Sequence, residues 1–205
     1  MIDFSKPKPI LMQEQILDGI ATQVMRPISR RYDDAEETHA RPWEYINAIW
    51  QGMQMMGFGG LTGPDEGDKK KERDPKRPPI ANQMLMHVIE RLSYGDAGIY
   101  LSTPGGALGG APVAAAGTPE QKKRFLARFA GGEPKWGAMA MTEPHAGSDT
   151  AAIRTRATLS EDGTEWVLNG EKIFVTGGLM AARDSDGFVV VWATVDPSLG
   201  RAGMK

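Results

Sequence analysis

Apolar residues recur at helical spacing up to about residue 132 and mostly at a period of two afterwards. Over residues 9–31, Ile10, Leu11, Leu17, Ile20, Val24 and Ile28 follow the helical period. Pro27 falls inside that pattern. With no N–H and a ring that crowds the preceding turn, it should kink or end the helix nearby. Trp43, Ile46, Ile49, Trp50, Met53 and Met56 mark a second helix over 43–56, which Gly57, Gly59 and Gly60 should stop. Met84, Leu85, Val88, Ile89 and Leu92 share one face of a third helix over 80–93. Thr118-Pro119-Glu120-Gln121 is a helix start: Thr118 caps, Pro119 suits the first helical position, and Gln121 completes a capping box. Phe125, Leu126 and Phe129 give that helix its buried face, and Gly131-Gly132 end it.

Two stretches between these elements carry no clear period. Residues 62–79, TGPDEGDKKKERDPKRPP, read as a charged, solvated loop. Residues 96–117 are rich in Gly and Ala. Their GGALGG run at 105–110 lacks the GxGxxG spacing and a clear preceding strand, so it predicts close helix packing through small residues.

After Pro134 the texture changes. Ile153, Thr155, Ala157 and Leu159 alternate with Arg154, Arg156 and Thr158, which predicts a strand over 151–159. Glu161-Asp162-Gly163 turns it, and Trp166–Leu168 is the next strand. Asn169-Gly170 is a strong hairpin signal, with Ile173–Thr176 as the returning strand. Phe188–Val195 is a further apolar strand. The predicted class is α+β: an all-α helical domain over 1–132, then an incomplete antiparallel β-barrel-like domain over 133–205.

Composition narrows the chemistry. The 205 residues include no cysteine, which excludes disulfides, thiolate metal sites and cysteine nucleophiles. A net charge of −2 gives no reason to expect nucleic acid or an anionic membrane as partner. No apolar run approaches the roughly 20 residues that span a bilayer. The opening MIDFSKPKPILMQEQ lacks the apolar core of a signal peptide, so a cytoplasmic protein is expected. His39, His87 and His145 are far apart, so no metal motif is predicted.

The polar candidates cluster in Met139–Asp149, MAMTEPHAGSD, and in Asn169–Thr176, NGEKIFVT. Thr142 beside Pro144 can aim a hydroxyl and an N–H at one acceptor, as flavin ring nitrogens and carbonyls require, or can simply end a strand. Gly147 allows close backbone approach and Ser148 offers a donor and acceptors, for a ligand or for a local turn. On a strand, Phe174 and Thr176 would share one face, an aromatic plate beside a hydroxyl; core packing explains the same pair. His145 has no partner apparent in sequence and reads as a loop histidine.

TEPHAGSD followed about twenty residues later by NGEKIFVTGG resembles the paired signature of the acyl-CoA dehydrogenase family. GTPEQKKRFLARFAGGE at 117–133 and IERLSYGDAGIYLS at 89–102 are similar to the family's helices leading into its middle domain. The resemblance is specific from 117 to 178 and weaker before residue 80. It implies FAD as cofactor, held by Met139, Met141, Thr142, Gly147, Ser148, Phe174, Val175 and Thr176. Thr142 would lie near the ring system and Ser148 near the cofactor pyrophosphate or the acyl-CoA substrate. Phe174-Val175-Thr176 stands where the family often has Trp-Ile-Thr, and His145 where many members have Gly. The implied reaction is α,β-desaturation of an acyl-CoA thioester, with hydride transfer to FAD, in fatty acid metabolism. The family's catalytic base is a Glu in a C-terminal helical bundle beyond Lys205, so no catalytic residue is assigned here. Glu143 belongs to the binding signature. An electron-transfer flavoprotein is the implied electron acceptor. A homo- or hetero-oligomer is implied too, with a chain carrying the bundle among the partners.

Other readings stand beside this one. They are a non-catalytic flavin-binding subunit that needs a partner, a flavin-dependent monooxygenase of the same fold, and a plain helical interaction domain with an appended sheet.

Overall fold

The computed structural model describes residues 6–34, 40–55 and 81–205. Gly57, Gly59 and Gly60, the charged loop at 62–79 and His39 lie outside the described residues. Contacts divide the chain after Pro104 into two units.

In the first unit, α1 (Lys8–Gly19) runs through a π-helical stretch (Ile20–Met25) into α2 (Arg26–Asp33). Pro27 therefore neither ends the helix nor leaves a plain α-helical turn before it. Its missing N–H and crowding ring are accommodated by widening the preceding turn, where the Arg26 N–H reaches back to Ala21 O. α3 (Trp43–Met55) and α4 (Ala81–Tyr100) complete the unit. Ile10, Leu17, Met25, Ile46, Ile49, Met53, Val88 and Leu92 are almost wholly buried and form its core.

α4 runs past its predicted end through Gly95. A Cβ on Gly95 would lie 2.8 Å from Met25 Sδ and 3.0 Å from Ala21 Cα. The glycine thus marks a helix crossing. The break comes at Asp96, whose backbone is extended (φ −173°, ψ 119°). Its carboxylate caps the final turn, accepting the Ile99 N–H at 2.8 Å, and also accepts the Ser29 hydroxyl.

The second unit opens with α5 (Ala107–Ala116) and α6 (Pro119–Leu126). The small residues of GGALGG serve a strand and an aromatic ring, not only another helix. A Cβ on Gly109 would meet Ala138 O at 2.9 Å, and one on Gly106 would meet the Phe129 ring at 2.6 Å. The capping box forms as predicted. Thr118 Oγ1 accepts the Gln121 N–H at 3.2 Å, and Gln121 Oε1 accepts the Thr118 N–H at 2.8 Å. Thr118→Ala is expected to cost about 1 kcal/mol, read as a lower denaturant midpoint for the second unit.

The strands are β1 (Gly137–Ala140), β2 (Arg156–Leu159), β3 (Trp166–Asn169) and β4 (Phe188–Val191). β2 and β3 form the expected antiparallel hairpin, turning through Gly163 at φ +70°. β1 and β4 run parallel, Gly137 beside Phe188 through Ala140 beside Val191. This corrects the all-antiparallel expectation. The chain between them is long enough for the crossover that parallel pairing demands, whereas alternation along a strand says nothing about its partner's direction. The described strands make two two-stranded sheets and no closed barrel. Phe125 and Phe129 pack on Phe188, ring centroids 5.2 and 5.5 Å apart, which fixes helix against sheet.

The predicted return strand over 173–176 does not form. Gly170 instead packs on the Thr155 backbone, where a Cβ would lie 2.6 Å from Thr155 Cα. The chain then leaves β3 for the loop after β1. Gly170→Ala is expected to lower the second unit's thermal midpoint by several degrees, because the obstacle is backbone and cannot rotate away. A wild-type midpoint would contradict this close approach.

Candidate functional site

The loop after β1 closes on itself: Glu143 N–H donates to Ala146 O at 3.0 Å, and Ala146 N–H to Glu143 O at 3.1 Å. This tight turn carries Pro144 and His145 and presents Gly147 and Ser148 just beyond it. The Glu143 side chain points the other way and is 3 % exposed. It accepts the Arg154 N–H at 2.7 Å, the Thr155 N–H at 2.9 Å and the Lys172 ammonium at 2.8 Å. Burial alone would raise its pKa, but the hydrogen bonds from Lys172 and the two backbone N–H groups outweigh it and hold the carboxyl at about 2. An acid so fully bonded is a clamp and a poor proton acceptor at neutral pH. His145 does have a partner: its Nε2 lies 3.4 Å from Glu143 Oε2. The pair sits two residues apart, a spacing that only the tight turn makes useful.

Lys172 Nζ also donates to Met141 O at 2.9 Å, and the Ile173 N–H donates to Thr142 O at 2.9 Å. These bonds bring the two sequence signatures together at Met141–Glu143 and Lys172–Ile173. Met141, Thr142, Val175 and Thr176 are half-buried around this junction, and Gly147 and Ser148 are exposed at its edge. Met139 is farther back along β1, opposite Val190.

Phe174 departs from expectation. It is not on a strand and shares no strand face with Thr176. Its φ is +56°, and it is 87 % exposed. A non-glycine residue in the left-handed region carries roughly 1–2 kcal/mol of strain, and here no burial of its ring offsets it. The Thr142, Ser148 and Thr176 hydroxyls and the Thr142 and Gly147 N–H groups find no protein partner among the described residues. An exposed aromatic ring thus stands by a set of unused donors.

Sequence reasoning missed the clamp. Glu143 and Lys172 each look like ordinary solvated charges in a polar turn. One signature carries Glu143 and Asp149 and the other Glu171 and Lys172, so the sequence alone does not single out the pair that joins them.

The family model for the acyl-CoA dehydrogenase N-terminal domain matches residues 12–133, and that for the acyl-CoA dehydrogenase middle domain matches residues 138–204. The chain belongs to the acyl-CoA dehydrogenase family. Among its curated relatives, a 3-(aryl)acrylate reductase of Clostridium sporogenes is 38% identical over 186 residues, 90% of this chain and 43% of that protein. A probable medium-chain specific acyl-CoA dehydrogenase of Caenorhabditis briggsae is 33% identical over 156 residues, 76% of this chain and 34% of that protein. Among solved structures, butyryl-CoA dehydrogenase from Megasphaera elsdenii superposes with a TM-score of 0.68 at 27% identity, covering 99% of this chain and 48% of that one. The chain therefore spans less than half the length of these relatives. No described helix is long and apolar enough to cross a membrane.

Proposed function

We propose that this chain forms the helical domain (1–132) and part of the flavin-binding β domain (133–205) of an FAD-dependent acyl-CoA dehydrogenase-like oxidoreductase. The observation that carries the reading is the junction of the two signatures. The Thr142–Ile173 bond sets unused hydroxyl and N–H donors beside an exposed, backbone-strained Phe174. Strained residues gather at ligand sites, and this donor set fits a flat ring edged with acceptors. The family models, which divide near residue 135, support the domain boundary.

In this reading Met141, Thr142, Val175 and Thr176 contact the flavin ring system with Phe174 as its plate. Gly147 and Ser148 receive the pyrophosphate, Ser148 also faces the acyl-CoA, and Met139 supports the strand behind. FAD, when bound, supplies the hydride acceptor for α,β-desaturation of an acyl-CoA. The catalytic base lies outside these residues. The 3-(aryl)acrylate reductase among the relatives bears a name for the opposite direction. An electron-transfer flavoprotein as acceptor, an oligomeric or partner-completed assembly and a cytoplasmic location belong to the same proposal.

Titration of the purified chain with FAD, followed by quenching of flavin fluorescence, tests the site. Thr142→Val should weaken binding roughly tenfold, the scale of one hydrogen bond lost from a desolvated donor. Equal affinity would remove Thr142 from the site. Binding of an acyl-CoA by the flavin-loaded chain, rather than oxygen consumption with an aromatic substrate, separates this reading from a monooxygenase of the same fold.

A further inference from the structure

Lys172 is a lysine whose charged end is taken out of solvent for two bonds. Its side chain is 9 % exposed, and its ammonium reaches both Met141 O, at 2.9 Å, and Glu143 Oε1, at 2.8 Å. Burying an ammonium is unfavourable unless it is fully bonded, so its position is dictated by those two acceptors. The Met141 bond is the informative one. Neutralising Glu143 would require only the carboxylate contact, whereas the second bond fixes a backbone carbonyl at the start of the loop after β1. Lys172 takes Met141 O and its neighbour Ile173 takes Thr142 O. Two successive carbonyls are thereby held by two successive residues of the other segment.

From this we infer that Lys172 is the positioning residue of the flavin site: by holding the Met141 carbonyl and the Glu143 carboxylate together, it sets the direction in which Thr142 presents its N–H and hydroxyl. The inference rests on the flavin reading above for its ligand, but not for its geometry. Lys172 has protein groups as both partners of its ammonium. It acts through the loop, as groups behind a site orient those that line it.

The test separates positioning from charge balance. Lys172→Met leaves Glu143 buried without its cation and should lower the thermal midpoint of the flavin-free chain. The double variant Glu143→Gln with Lys172→Met leaves neither charge buried alone and should recover much of that loss. Two readouts are then taken on the full chain. In the flavin-free double variant, the Ile173 amide should exchange with solvent at least tenfold faster than in wild type, relative to the β1–β4 amides. In the FAD-loaded double variant, affinity should stay roughly tenfold weaker and the visible circular dichroism of the flavin should change. Lys172→Arg, which keeps the charge and donors, should restore part of both. Wild-type exchange at Ile173 in the double variant would overturn the positioning role. Faster exchange with unchanged flavin affinity and spectrum would overturn its connection to the flavin. Failure of the wild-type chain to bind FAD would defeat the flavin reading alone, and the exchange measurement would still decide the geometry.

Discussion

Glu143→Gln is expected to destabilise the second unit by about 3–5 kcal/mol, the range for removing one partner of a buried ion pair. The amide keeps the shape but loses the charge opposite Lys172. It also turns an N–H2 group toward a position where the carboxylate accepts a backbone or ammonium proton. Three segments separate at once: the turn at 143–146, the entry to β2 at 154–155 and the chain after β3 at 172. The same clamp makes stability depend on acid. The folded pKa of about 2 lies below the unfolded value near 4.5, so the unfolded state binds more protons between those values. The clamp's contribution is complete above about pH 4.5 and is lost as pH falls through about 2. Denaturant midpoints measured from pH 6 down to 2.5 should converge for wild type and Glu143→Gln. Parallel curves across that range would show that Glu143 is not the group responsible.

Phe174→Asn should separate stability from binding. Asn tolerates the left-handed region that Phe174 occupies at φ +56°. The ring is 87 % exposed, so little packing is lost on its removal. The flavin-free variant should therefore be at least as stable as wild type, with a gain of up to about 1 kcal/mol. Stacking on an aromatic ring contributes roughly 1–3 kcal/mol to binding a planar base, so FAD affinity should fall by about five- to 150-fold. A denaturation curve and an FAD titration on the same preparation read both effects. Lower stability with unchanged affinity would mean the ring is a packing residue and the strain has no bearing on a ligand.

These two residues also mark where the sequence could and could not be read. The Thr118 capping box was legible because both of its bonds lie within four consecutive residues. The β2–β3 hairpin was legible because its period and its turn are local. The direction of β1 against β4 was not, since it depends on a crossover and not on either strand's pattern. The extension of α4 past residue 93 was not legible, because sequence does not show that Ala21 and Met25 pack against Gly95. Asn169-Gly170 had the chemistry of a hairpin turn, but the bonds offered by Met141, Thr142 and Glu143 drew the following residues away from β3. The candidate site was found as two motifs. The lysine and glutamate that join them could be recognised only once both were seen buried together.

The most direct measurement is the visible absorption spectrum of the purified chain after incubation with FAD and removal of the excess by gel filtration. The account predicts retained flavin absorbance with a band shape altered from that of free FAD, since Thr142, Thr176 and Phe174 would surround the ring. A colourless protein, folded by circular dichroism and eluting without flavin, would contradict the central claim that these two joined segments form a flavin site.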